Sequence, residues 1–66
     1  MNKYEIMIED IYDKNKSKSV IVHQSNAFLA HKEGLNYTNA LREDIIRITN
    51  KGKMVFNIRA GFVDNE

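Results

Sequence analysis

The sequence predicts an α+β domain, a three-stranded antiparallel sheet with one main helix packed on one face, in the order β-β-α-β. Three observations carry that prediction. Tyr4, Ile6 and Ile8 alternate with Glu5, Met7 and Glu9, and Met54, Phe56 and Ile58 alternate with Val55, Asn57 and Arg59, the period-two signature of a half-buried strand. Between them Leu41, Ile45 and Ile48 recur at i, i+4 and i+7, the spacing that lines one side of a helix.

The first strand places Tyr4, Ile6 and Ile8 on one face and Glu5, Met7 and Glu9 on the other, and it extends to Tyr12. Residues 13–19 hold no hydrophobic side chain and read as a hairpin connection. Val20-Ile21-Val22-His23-Gln24 is rich in β-branched residues and forms the second strand. Ser25 and Asn26 are capping residues ahead of the apolar run Ala27 to Ala30, so residues 26–33 form a short extra helix, with Gly34 a C′ glycine behind it. The rival reading is one continuous helix from Ala27 to Asn50 interrupted only by Gly34. Asn36, Thr38 and Asn39 favour a break.

The main helix spans residues 38–50. Thr38 caps its N-terminus, Ile46 widens the stripe, and Arg42, Glu43, Asp44 and Arg47 lie mostly opposite. Gly52 then takes the left-handed conformation that ends it. In the last strand Met54, Phe56 and Ile58 point inward. Gly61 marks a bulge or the strand's end, and Asp64-Asn65-Glu66 trail off. With the last strand beside the first, the strand order is 2-1-3.

Length and composition bound the function. A chain of 66 residues is a single domain, residues 1–66, and buries a small fraction of its surface. It contains no cysteine, which removes disulfides and thiolate metal sites and points to the cytoplasm. Glu5 stands where a signal peptide carries apolar residues, and no apolar run reaches membrane length. A formal net charge of +1 exerts no general pull toward nucleic acid.

No constellation points to catalysis, a metal or a cofactor. His23 and His31 are the only histidines, too few for a zinc site. Glu5 and Glu9 are four residues apart on one strand face, too far for a coupled carboxylate pair, and Arg59 is a simpler partner for either. Ser17, Ser19 and Ser25 sit in turn-like contexts, and the three isolated glycines build no phosphate-cradling loop. The expectation is a non-enzyme without cofactor.

The face left open by the helix is mixed rather than polar: Met7, Val55 and either Ile21 or the Val20/Val22 pair interrupt Glu5, Glu9, His23, Asn57 and Arg59. Val20, Ile21 and Val22 also form an edge with little to blunt strand addition. The candidate partner-binding residues are therefore Met7, Val20, Ile21, Val22, Val55 and Arg59. A homodimer packed through its open faces is compatible with the same surface. The alternative site is the lysine-rich hairpin, where Lys14, Lys16 and Lys18 could contact nucleic-acid phosphates. Glu9, Asp10 and Asp13 flank it, and no aromatic platform accompanies it.

The β-β-α-β layout, with Lys14-Asn15 in the hairpin, Asn39-Ala40-Leu41 at the helix start and the Lys51-to-Ile58 run into the last strand, resembles small phage-encoded host-takeover proteins. Their types include inhibitors of bacterial RNA polymerase and toxin-neutralising antitoxins. The resemblance lies in layout and carries no functional residue across. It implies an inhibitor that occupies the surface of a host enzyme, toxin or defence protein in the host cytoplasm.

Overall fold

The computed structural model describes residues 1–63; the expected trailing segment 64–66 lies outside them. Five strands and one helix follow in the order β1 (Asn2–Asp10), β2 (Ser17–Gln24), α1 (Ala27–Gly34), β3 (Glu43–Asn50), β4 (Lys53–Asn57) and β5 (Gly61–Phe62), with a 3-10 turn at Leu35–Tyr37 after α1. The sheet is antiparallel throughout, ordered β2-β1-β3-β4-β5. The α+β class, the antiparallel sheet and the neighbouring first two strands are as expected. The sheet has five strands instead of three, and the stretch read as the main helix is a strand in its middle.

The cause of that difference is a pair of bulges. Met7 pairs with Arg47 and Ile8 with Ile45, so Ile46 is an extra residue in β3. An extra residue shifts the alternation by one and brings residues three apart onto the same face. Ile45 and Ile48 are thus both buried against the helix side of the sheet, a spacing that imitates an amphipathic helix. Leu41, the third member of the supposed stripe, is 85% exposed. The β-branched run Ile45-Ile46 and Ile48-Thr49 suits a pleated backbone better than a helix.

The second bulge lies in β4. Ile48 pairs with Phe56 and Thr49 with Met54, leaving Val55 unpaired between them. Val55 and Phe56 are consequently both buried, while Met54 and Ile58 are exposed, which reverses part of the expected inward set. Gly52 does have a positive φ of 80°, and Lys51 before it has 52°. They form a two-residue hairpin between Asn50 and Lys53, the tight turn whose two central residues require positive φ. The left-handed glycine was legible, but it closes a hairpin instead of capping a helix.

The helix that exists is the short one. Asn26 caps it by accepting a hydrogen bond from the Leu29 amide at 2.9 Å. Ala27, Ala30 and Gly34 form its buried face, and such small residues let the helix lie close to the sheet. Gly34 has ordinary right-handed helical angles and is not the left-handed C′ residue expected. A Cβ there would stand 2.7 Å from Ile6 Cδ1 and 3.0 Å from Ile45 Cδ1, so close approach is what this position requires. Around it Tyr4, Ile6, Ile8, Val22, Ile45, Ile48, Val55 and Phe56 close a single core. No helix among the described residues is long and apolar enough to cross a membrane.

Candidate interaction surface

The strand registers assign each expected contact residue to a face. In β2, Val20 and Val22 pair with Ile6 and Tyr4, both fully buried under the helix, so the two valines belong to the helix side. Val22 is 2% exposed and Val55 3%; both are core, and neither lines an open face. Ile21 pairs with Glu5 and projects from the opposite side, half exposed. Met7 lies on that same open face between Ser19 and Arg47, partly buried, and its Sδ accepts from the Ser19 hydroxyl at 3.9 Å. Arg59 is exposed in the turn before β5, with its backbone amide donating to Asn57 Oδ1 at 2.8 Å. Of the six expected residues, only Met7 and Ile21 share one accessible surface.

That open face is chequered. Lys3, Glu5, Glu9, Asp44 and Arg47 alternate with Met7, Ile21 and Met54 across the registers. A shallow depression on it is lined by Lys3, Glu5, Ile21, Thr49, Lys51 and Gly52. Charges of both signs at close spacing keep such a face hydrated.

The contiguous apolar surface is on the other side, at the far edge of the sheet. Phe28, on the outer side of α1, is 64% exposed, and Phe62 in β5 is 44% exposed. Their ring centroids are 5.8 Å apart. Beneath them the His31 ring meets Phe56 edge-on at 4.6 Å and Phe62 at 5.7 Å, and Phe56 and Phe62 are 5.0 Å apart. These separations are those of favourable aromatic pairs. Leu35, seven residues after Phe28 and so on the same side of the helical turn, is also exposed. The short helix lies mainly over β1, β2 and β3, so the aromatic side chains of β4 and β5 stand beside it as a ridge. Burial pushes the His31 imidazole below its ordinary value of 6.5, so the ring is neutral at physiological pH and acts here as one more aromatic plate.

This ridge was missed in the sequence because its parts come from two segments whose roles were misplaced. Phe28 lies in the short apolar run read as an extra helix, and Phe62 lies beyond Gly61, where the last strand was expected to end or bulge. The signal available was four aromatic rings, Phe28, His31, Phe56 and Phe62, in a chain with only three phenylalanines and two histidines.

The lysine hairpin is built as follows. Lys14 and Lys16 are exposed, and the Lys16 carbonyl accepts from the Asp10 amide at 2.9 Å. Lys18 bridges Glu43 at 3.4 Å. Asp10, 5% exposed, sits at the root of the loop. Its Oδ1 accepts from the Tyr12 and Asp13 amides at 2.8 and 3.0 Å, and its Oδ2 from Arg42 Nε at 2.8 Å. The Arg42 guanidinium and then the Tyr12 amide hold the Asp10 carboxyl below its usual value. The Asn39 amide, aided by Lys18, does the same for Glu43. Asp10 and Glu43 therefore favour their ionised forms among the lysines. Among the described residues no group of three or more metal-ligating side chains comes together.

Comparison with known proteins adds no relative: no family model, curated protein or solved structure matches the chain.

Proposed function

We propose that this protein is a small binding module that acts by occupying the surface of another protein, as an inhibitor of a host enzyme, toxin or defence protein encoded by a phage or mobile element. The observation that carries the binding reading is the Phe28–Phe62 ridge: two large rings packed against each other in a tilted pair yet substantially solvent-exposed. Exposed contiguous aromatic surface on so small a domain marks an interaction site more often than scattered apolar residues do, and buried aromatic anchors dominate binding energy at interfaces. The phage setting rests on the layout resemblance alone, of which the two-strand start followed by a helix remains.

The test is affinity capture from nuclease-treated host lysate with wild-type protein, Phe28→Ser, and Phe28→Ser with Phe62→Ser, each first checked for an unchanged circular dichroism spectrum. One protein captured in stoichiometric amount by the wild type and lost with Phe28→Ser is the expected result. Capture that survives both changes moves the contact elsewhere. Nucleic acid recovered when nuclease is omitted, and no protein when it is present, supports the hairpin Lys14, Lys16 and Lys18 in its place.

A further inference from the structure

The two edges of the sheet are not alike. At one end β5 is two residues long, a length that offers little to a neighbour. At the other end β2 runs eight residues in unbroken register with β1. It contains no proline and no bulge, and its only formal charge is Lys18. Natural sheets blunt long edges with charges, prolines or bulges, or else pair them. We infer that β2 pairs antiparallel with β2 of a second copy of this chain, joining two five-stranded sheets into one of ten strands.

The sequence of β2 favours a second copy because it is self-complementary in one register. Residues directly opposite in an antiparallel pair project to the same face. A two-fold axis must therefore pass through a residue position, and of the two positions nearest the middle of the strand, Val20 and Ile21, the second gives the better match. Centring there sets Ile21 against Ile21 on the open face and Val20 against Val22 on the helix face, twice. Ser19 then faces His23, and Lys18 faces Gln24. No like charges meet. Centring on Val20 would press Lys18 against Val22, and centring on Val22 would shorten the pairing and set Ile21 against His23.

The charges also match in the Ile21-centred register. Gln24 donates from Nε2 to Glu33 Oε1 of α1 at 2.6 Å, so a carboxylate is fixed on the helix face beside Gln24. Lys18 of the other copy arrives opposite Gln24 on that same face. Its ammonium, half-exposed while bridging Glu43 at 3.4 Å, meets an acceptor across the junction. The aromatic ridge lies at the β5 end of the sheet and remains uncovered in this dimer, so the pairing stands independently of what the ridge binds.

The test uses the absence of cysteine from the chain. In Ile21→Cys the two thiols meet at the axis within disulfide reach, since directly opposed strand residues have Cα atoms about 4.5–5.5 Å apart. Mild oxidation should convert it to a disulfide-linked dimer, as should Ser19→Cys combined with His23→Cys, whereas Ser19→Cys alone and Met54→Cys on the exposed open face of β4 should stay monomeric on non-reducing gels. Sedimentation equilibrium should show a wild-type dimer, and Ile21→Lys should return it to monomer with an unchanged circular dichroism spectrum. Glu33→Lys should weaken the dimer. A wild-type monomer at high protein concentration overturns the proposal. So does cross-linking through Met54→Cys as efficient as through Ile21→Cys, because it would place any dimer on the open face.

Discussion

Asp10 is the only buried charged residue among those described, and its position explains how the two loops at one end of the sheet are held. Through one carboxylate it receives the Tyr12 and Asp13 amides of the hairpin and the Arg42 side chain from the segment before β3. The Ile11 amide adds a bond to the Arg42 carbonyl at 2.7 Å. Because the folded protein favours the charged form, this group's contribution to stability is fully present above the unfolded value near 3.8 and is lost as pH falls through its lower folded value. Asp10→Asn should therefore lower the melting temperature at neutral pH and give a shallower fall of stability below pH 4 than the wild type shows. Parallel acid limbs for the two proteins would mean that Asp10 is not the latch. The residue types of this cluster were visible in the sequence, but Asp10 and Arg42 are 32 positions apart. Reading Arg42 as the solvated side of a helix removed any reason to bring them together.

Among the elements, β3 decides the fold. A helix at residues 38–50 would give Leu41, Ile45 and Ile48 equal shares of one buried stripe, whereas a bulged strand buries only the last two. Ile48, fully buried, should cost about 2–5 kcal/mol when changed to alanine. Leu41, outside the sheet and exposed, should cost no more than about 0.5 kcal/mol. Urea unfolding of both variants checks the contrast, and comparable losses at the two sites would restore the helix. Period counting could not separate these cases, because a one-residue bulge turns a spacing of two into three. The cap-forming residues misled for a related reason. Thr38 and Asn39 do satisfy local backbone groups, Thr38 Oγ1 donating to the Leu35 carbonyl and Asn39 Oδ1 accepting from the Leu41 amide. Side chains of this kind stabilise turns as readily as helix starts. What was legible came from segments without bulges: the presence of β2, of the β1–β2 hairpin and of the Asn26-capped helix, although β1 ends at Asp10 instead of Tyr12 and β2 begins at Ser17 instead of Val20. Of the surface, Met7 lies on the open side as expected, and register decides for Ile21 between the two faces the sequence left open for β2, while Val22 and Val55 went into the core through register and bulge, which no single-sequence pattern displays.

At the scale of the whole molecule, one two-turn helix is too small to cover a five-stranded sheet. The uncovered part differs by side: the open face is mixed in charge, while the flank beside α1 is aromatic. The β2 edge and the Phe28–Phe62 ridge lie at opposite ends of the sheet, so self-pairing and target binding do not compete for the same residues. The central claim is that the ridge is the surface that meets another protein. Site-specific photocrosslinking in host cells tests it most directly, with benzoylphenylalanine placed in turn at Phe62, Met54 and Lys16, positions that sample the ridge, the open face and the hairpin. A covalent adduct to one protein from Phe62, absent from Met54 and Lys16, is the predicted result. Adducts from Lys16 or Met54 with none from Phe62 would contradict it.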